Sequence, residues 1–207
     1  ERVAVYLPRN RIESGCYIAV GDQGPVQSSE VEHCQMDDVY FNLGAENIVA
    51  VMGDLTTALN GLNLPFTFKV PYAAEDCDRN DTGVLTFEKS CYTEIQPVLA
   101  TIYQAHQSAF RPEVPLFSKQ LAPGLALAED PLDRFTPQES FSINRFQTLA
   151  DGLLKAWRAG QESPEARMNA ILESFAAHCI DLKHPFLNPE SMDCYAPIMD
   201  SVNAMAS

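Results

Sequence analysis

The segment LNLPFTFKV, residues 62–70, carries the clearest strand pattern in the chain. Phe66, Phe68 and Val70 share one face of such a strand, and Thr67 and Lys69 share the other, because side chains alternate along an extended backbone. An apolar face opposite a polar face predicts a strand with one side buried. The same pattern places Lys69 on the polar side of a sheet.

The rest of the chain combines further strand patterns with amphipathic helices. Strand patterns cover residues 2–7, 17–20, 39–43 and 84–87, and two extended segments that suit sheet edges cover 116–121 and 124–128. Apolar residues at helical spacing predict helices over residues 46–60, 93–110 and 142–159, and a fourth that starts at Ser163 and Pro164. Strands come mainly first and helices gather later, which predicts an α+β fold with a mostly antiparallel sheet and about four packed helices.

Helix periodicity also assigns inward faces, and irregular sequence marks the segments between elements. The third helix should bury Phe146, Leu149, Leu153 and Trp157, and the fourth Met168, Ile171, Leu172 and Phe175.

Residues 9–15 predict turns, 23–36 an exposed loop and 190–207 an irregular tail. We expect one domain over residues 1–207, with an N-terminal segment possible before it because the chain begins at Glu1 rather than at Met.

The composition argues against several functional classes. Fourteen basic residues against 28 acidic ones give a formal net charge of -14, so neither a nucleic acid nor an anionic membrane surface is an expected partner. No apolar run approaches the roughly 18 residues of a membrane span. The six cysteines form no C-x-x-C pair, which favours free thiols in a reducing, cytoplasmic compartment. Histidine and cysteine spacing predicts no metal site, and no cofactor motif is present.

Lys69, Arg79 and Arg145 are the cations whose positions suggest chemistry. A lysine held against a sheet can act as a general base, whereas most strand lysines are simply solvated. Arg79, within DRND at residues 78–81, fits either an anion clamp or an ion-paired surface turn. Arg145 falls in the first turn of the third predicted helix, where it could help the helix start bind phosphate or could pair with Glu139 or Asp151.

Two further candidates are Lys119 and His106. Lys119 precedes the apolar run 121–128, which is typical of a buried strand with a solvated end. His106 falls on the apolar face of the second predicted helix, where a lone histidine is more often a core residue than a catalyst. Lys119 is therefore either solvated or one of the bases that Glu129 and Asp130 order across a cleft, and His106 is either a core residue or a catalyst.

Several segments together resemble the HopA-type family, named for a bacterial type III effector. They are DDVYFNL (37–43), LNLPFTFKV (62–70), DRNDTGVLTFE (78–88), RPEVPLFSKQLAPGLALAEDP (111–131), ESFSINRFQTLADGLLKAW (139–157) and HPFLNP (184–189). Some relatives act as the lyase component of class V lanthipeptide synthetases. The resemblance implies a fold similar to that of the phosphothreonine lyase effectors, which pair a lysine base with a histidine acid.

The resemblance also implies a reaction and partners. A kinase-like partner protein phosphorylates Ser or Thr of a precursor peptide, and the HopA-like protein eliminates the phosphate to leave dehydroalanine or dehydrobutyrine. On the matching positions, Lys69 would be the base, Arg79 and Arg145 would bind phosphate, and Lys119 would assist the phosphate or the enolate.

One departure from the family pattern concerns the acid. Many relatives have a glycine and a histidine where this chain has Ser142 and Asn144, so a histidine acid is absent there. His106 or Lys119 could serve as the acid, or the departing phosphate needs no separate acid. Two other classes of function therefore remain: a non-catalytic module that binds a peptide or a kinase, and an effector that acts on host proteins.

Overall fold

The computed structural model describes residues 10–25, 35–136 and 139–198. The strand predicted over residues 2–7 and most of the loop predicted over 23–36 lie outside these ranges. The described part contains a seven-stranded sheet with four α-helices, so the predicted α+β class is confirmed. No helix within the described ranges is long and apolar enough to cross a bilayer.

The sheet is antiparallel at every pairing between its described strands. Its order is β1-β2-β4-β5-β3-β7-β6. The strands are β1 (Arg11–Glu13), β2 (Cys16–Val20), β3 (Met36–Phe41), β4 (Phe66–Pro71), β5 (Gly83–Glu88), β6 (Lys119–Ala122) and β7 (Leu125–Glu129). The helices are α1 (Ile48–Gly61), α2 (Tyr92–Ala105), α3 (Phe141–Arg158) and α4 (Pro164–Ala177).

Three sequence predictions need correction. β1 lies within the segment 9–15, which was expected to form only turns. The strand was not predicted because all three of its residues are exposed and show no apolar alternation. The second helix ends at Ala105 rather than near residue 110, and a single 3-10 turn, Gln107–Ala109, follows it. β6 does form a sheet edge, whereas β7 lies inside the sheet between β3 and β6.

The register divides the sheet into two chemically different faces. Phe68 pairs with Leu85, which pairs with Val39, and this row joins α1 and α2 in the main hydrophobic core. Lys69 pairs with Val84, which pairs with Tyr40, so this row lies on the opposite face. Helix α3 reaches that second face, where Phe141 packs against Tyr40 with ring centroids 6.4 Å apart.

The inward faces predicted for the last two helices are largely wrong. Phe146 and Trp157 are exposed, and α3 instead buries a row of small and polar residues that includes Gly152. A Cβ at Gly152 would lie 2.6 Å from the Cα of Ile171, so the missing side chain allows α3 to pack closely against α4. In α4, Phe175 is buried as expected, but Met168 and Leu172 are exposed. The predicted Ser163 cap is confirmed, since its side chain accepts from the Ala166 N–H at 3.1 Å.

The end of the described chain, residues 191–197, has no regular secondary structure and is packed against the core. Tyr195 and Ile198 are buried. The Tyr195 ring meets Tyr92 edge-on at 4.8 Å, and its hydroxyl donates to Asp37 Oδ1 at 2.8 Å. The segment therefore covers the end of the sheet on the α1 and α2 side.

Candidate functional site

A cavity of about 420 Å³ lies on the polar face of the sheet, between the strands and the start of α3. Lys69 from β4 and Arg79 from the loop before β5 both line it, so the structure brings these two predicted residues together. The Lys69 side chain is exposed because its row points away from the main core. The remaining lining residues are Ser14, Cys16, Asp38, Tyr40, Val70, Pro71, Asp81, Val84, Thr86, Ser140, Ser142 and Ile143.

The start of α3 adds positive electrostatic potential to this cavity. Ser140 is the N-cap residue, and its side chain forms no capping hydrogen bond with the described residues. The first intrahelical bond runs from the Asn144 N–H to the Ser140 carbonyl at 3.0 Å, which leaves the preceding N–H groups without intrahelical acceptors. Such a helix end attracts anions, and here it faces the same cavity as Lys69 and Arg79.

Arg79 is held in place by a carboxylate in the same loop. Its Nε and Nη2 donate to Asp81 Oδ1 and Oδ2 at 2.7 and 2.8 Å. The hydrogen bonds to Asp81 raise the pKa of Arg79 above its ordinary value. The Arg79 side chain is 59% exposed, so the remaining N–H groups of its guanidinium can reach a ligand in the cavity.

Asp38 is the carboxylate at the inner wall of the cavity. The Thr86 hydroxyl donates to its Oδ1 at 2.6 Å, and the Tyr40 hydroxyl lies 3.5 Å from Oδ2. Burial and the neighbouring Asp130 carboxylate raise the pKa of Asp38 to about 7, against the opposing effect of the Thr86 hydrogen bond. A carboxyl group with a pKa near neutrality can donate or accept a proton at physiological pH.

Sequence reasoning missed Asp38. The signal was present in the DDVYFNL segment, where two consecutive acids occupy a strand that is otherwise apolar. Acids in the middle of a sheet are costly unless they are paired or protonated, so this pair warranted a functional reading.

Arg145 does not reach the cavity. Its side chain is 1% exposed and points to the other side of α3, where Nε and Nη2 donate to the carbonyls of Pro185 and Leu187 at 2.8 and 3.1 Å. The guanidinium also stacks on Phe141, 4.9 Å from the ring centroid. Burial lowers the pKa of Arg145 to about 10. This geometry gives Arg145 a structural role in holding the segment around residues 185–187 and does not support the phosphate contact expected of it.

Lys119 and His106 also lie away from the cavity. Lys119 pairs with Leu127 in the row that faces the core, and its Nζ contacts both oxygens of Asp193 at 2.5 and 2.6 Å. His106 comes directly after the end of α2 and does not lie on the apolar face of that helix. Its Nε2 lies 2.7 Å from Asp54 Oδ2 in α1. Both residues therefore stand on the opposite side of the sheet from Lys69.

Asn144 occupies the position at which many relatives have a histidine, and its side chain also points away from the cavity. Asn144 is buried, its Nδ2 donates to the Asp133 carbonyl at 2.9 Å, and its Oδ1 accepts from Arg145. Asn144 thus supports Arg145, and the structure offers no acid at that place.

Comparison with known proteins gives the family and the fold. The model of the HopA1 effector protein family matches residues 7–187. No match to a curated protein is found.

Two solved structures share the fold. The structure of the effector protein from Pseudomonas syringae pv. tomato strain DC3000 has a TM-score of 0.61 at 15% sequence identity. That from Pseudomonas syringae pv. syringae strain 61 has a TM-score of 0.62 at 13% identity. In both cases 84% of this chain is covered, and the match spans 63% of the length of the effector chain. The chain with this cavity belongs to the HopA1 effector protein family.

Proposed function

We propose that the cavity binds the phosphate of a phosphoserine or phosphothreonine residue within a peptide, and that the protein eliminates this phosphate. The observation that carries the proposal is the convergence of Lys69, Arg79 and the uncapped start of α3 on one cavity. The product would be dehydroalanine from phosphoserine or dehydrobutyrine from phosphothreonine.

The reaction needs a base and an anion site, and the cavity offers both. Lys69 Nζ takes the Cα proton, the electrons of the Cα–H bond form the new double bond, and the electrons of the Cβ–O bond leave with the phosphate. Lys69 forms no hydrogen bond or ion pair with the described residues through Nζ, so its amine is available to the substrate. Arg79 and the N–H groups of α3 stabilise the departing phosphate, where negative charge develops.

The size of the site suits a peptide rather than a free amino acid. A second cavity of about 400 Å³ adjoins the first and shares Ser14, Cys16, Pro71 and Arg79 with it. The two cavities meet at these four residues, so residues flanking the phosphorylated one would extend from the first cavity into the second.

The acidic charge of the chain sets a condition on binding. A net charge of -14 repels a phosphopeptide at long range, but at cytosolic salt this repulsion is screened beyond about 8 Å. Binding then depends on the local cations of the cavity. This favours a peptide delivered by a bound partner over one captured by long-range attraction.

The partner follows from the chemistry. Elimination consumes a phosphate that another enzyme must first install, so the proposal includes a kinase-like partner that phosphorylates a precursor peptide in the cytoplasm. The biosynthetic context we propose is that of lanthipeptide-type peptides, in which the dehydrated residues are used further.

A second candidate is a module that binds phosphopeptides without reacting. Two observations favour this candidate. The Asp81 carboxylate already occupies two N–H donors of Arg79. The solved effector chains are longer than the region that this chain matches. An effector that acts on host proteins would use the same cavity to bind its target.

Mass spectrometry of a phosphothreonine peptide separates these functions. The peptide is incubated with the protein in the presence and absence of a small thiol. Elimination removes phosphoric acid and yields an alkene that adds the thiol, whereas hydrolysis restores threonine and adds none. Retention of the intact phosphopeptide by the protein, without any mass change, would support the binding module and contradict the lyase.

A further inference from the structure

We infer that the Asp38 carboxyl group is the acid that protonates the departing phosphate, an inference that rests on the proposed elimination. Asp38 lines the same cavity as Lys69 and is anchored by the Thr86 hydroxyl at 2.6 Å. The anchoring bond uses Oδ1 and leaves Oδ2 toward Tyr40, whose hydroxyl lies at the longer distance of 3.5 Å.

The sheet register sets the spacing between base and acid. Lys69 pairs with Val84, Val84 pairs with Tyr40, and Asp38 lies two residues before Tyr40 in β3. Two strand spacings and two residue rises put the Cα atoms of Lys69 and Asp38 about 12 Å apart. Both side chains rise from the same face of the sheet and line the same cavity, so a phosphorylated residue bound there would lie between the two head groups.

Polar and charged groups surround Asp38, but burial is the main reason that its carboxyl group keeps a proton near neutral pH. Burial contributes most to its raised pKa of about 7, and the Asp130 carboxylate adds to it, while Arg134 opposes both. The groups that face it are Tyr40 from β3, Thr86 from β5, Asp130 and Arg134 after β7, Lys69 from β4, Arg79 and Asp81 from the loop before β5, and the start of α3.

The step balances with these two groups alone. The lone pair of Lys69 Nζ takes the Cα proton, the Cβ–O bond breaks, and the Asp38 carboxyl gives its proton to the oxygen that leaves. The products are the alkene, monoprotonated phosphate, an ammonium on Lys69 and a carboxylate on Asp38. Proton exchange with solvent returns both groups to their starting states.

Other acids in or near the cavity fit this task less well. Asp81 is engaged by Arg79 through both oxygens. Burial, with the Asp38 charge next, raises the pKa of Tyr40 well above its ordinary value, so its hydroxyl is a weak acid. Lys119 and His106 lie on the other side of the sheet.

The test compares Asp38→Asn with the matched variant Asp37→Asn. Asp37 is the neighbouring acid in β3, it has a similarly raised pKa of about 7, and its hydrogen bond to Tyr195 places it outside the cavity. For a phosphothreonine peptide, we expect kcat/KM to fall about 10²–10⁴-fold in Asp38→Asn. Asp37→Asn should stay near the wild-type value.

The pH profile gives a readout that a structural role would not change. The ratio of wild-type to Asp38→Asn kcat/KM should be constant below about pH 7 and fall about tenfold per unit above it, because kcat/KM reports titration of the free enzyme. A ratio that stays flat with pH would overturn the assignment.

A substrate with a better leaving group provides the second readout. In an S-phosphocysteine peptide the departing sulfur is less basic than oxygen and needs little protonation. Asp38→Asn should therefore regain most of the wild-type rate on this peptide, while Lys69→Ala should stay inactive on both. Equal losses on the two peptides would overturn the inference while leaving the lyase intact. Wild-type protein that eliminates neither leaving group would contradict the proposed function and the inference with it.

Discussion

Asp37 and Asp38 are adjacent in β3, yet their carboxylates serve opposite faces of the sheet. Asp37 Oδ1 accepts from the Tyr195 hydroxyl at 2.8 Å on the side of α1 and α2. Asp38 Oδ1 accepts from the Thr86 hydroxyl at 2.6 Å on the side of the cavity. One acid therefore belongs to the packing of the last described segment and the other to the candidate site, so substitutions can separate stability from activity.

Asp37 should make the protein less stable as pH rises. Burial, partly offset by the Tyr195 hydrogen bond, raises the pKa of Asp37 from 3.8 to about 7. Between these values the folded state holds a proton that the unfolded state has lost. The favourable contribution is therefore complete below about pH 4 and is lost as pH rises through about 7.

Urea unfolding of wild type and Asp37→Asn across this pH range measures the effect. The amide cannot titrate, so the free energy of unfolding of Asp37→Asn should gain on that of the wild type as the pH rises. Parallel stability curves for the two proteins would contradict the buried, protonated state of Asp37.

Arg145 should matter for stability and not for substrate binding. In Arg145→Leu the carbonyls of Pro185 and Leu187 lose their donors, and we expect the free energy of unfolding to fall by about 3–5 kcal/mol. Arg158→Leu, at an exposed position of the same helix, should change it by less than about 1 kcal/mol. An Arg145→Leu protein that unfolds like wild type but has a raised KM would return Arg145 to the phosphate site.

Arg79 should show the reverse pattern. Its ion pair with Asp81 is largely solvent-exposed, so Arg79→Gln should change the free energy of unfolding by less than about 1 kcal/mol. Loss of a charge-assisted hydrogen bond to the departing phosphate costs about 1.5–3 kcal/mol, which corresponds to a roughly 10–100-fold decrease in kcat/KM. Steady-state kinetics with a phosphothreonine peptide, beside thermal unfolding, would show whether activity falls while stability is unchanged.

The contact between α3 and α4 should depend on the absence of a side chain at Gly152. A Cβ there would lie 2.6 Å from Ile171 Cα and 2.8 Å from the Ala170 carbonyl oxygen, so Gly152→Ala should destabilise by about 1–3 kcal/mol. Gly53→Ala, in α1 with open space around its Cβ position, should stabilise by about 0.5–1 kcal/mol. Chemical denaturation of both variants tests this, and equal effects would contradict the close packing.

Strand β4 was predictable because its side chains alternate between an apolar and a polar face. Phe66, Phe68 and Val70 are all buried, and Lys69 lies on the other face as expected. The boundaries of α1 and α3 also agree with periodicity to within two residues. Local sequence was sufficient wherever one face of an element is apolar and buried.

The face of α3 was not predictable in this way. Periodicity identified Phe146 and Trp157 as the inward stripe, but the helix buries Arg145 and Gly152 instead. The Arg145 side chain can be buried because it donates hydrogen bonds to carbonyls some 40 residues away in the chain. Gly152 is buried because its missing side chain allows α4 to pack closely. Such long-range compensation leaves no periodic signal in the sequence.

Only part of the candidate site was predictable from local sequence. Lys69 was found because it interrupts an apolar strand, and Arg79 because it lies in a polar loop before the next one. Lys119 and His106, which the sequence offered as possible acids, lie on the other side of the sheet from Lys69. The sequence did not show this because the whole topology decides which elements meet on each face of the sheet. The two acids of β3 were visible in the sequence, but only the fold shows that Asp38 lines the cavity.

The most direct test of the account is the mass of a phosphothreonine peptide after incubation with wild type, Lys69→Ala and Lys183→Ala. Lys183 is an exposed lysine outside the cavity, so its removal controls for the loss of one positive charge. We predict that the peptide loses phosphoric acid with wild type and Lys183→Ala and stays intact with Lys69→Ala. Elimination by Lys69→Ala at the wild-type rate, or no elimination by any of the three, would contradict the assignment of Lys69 as the base.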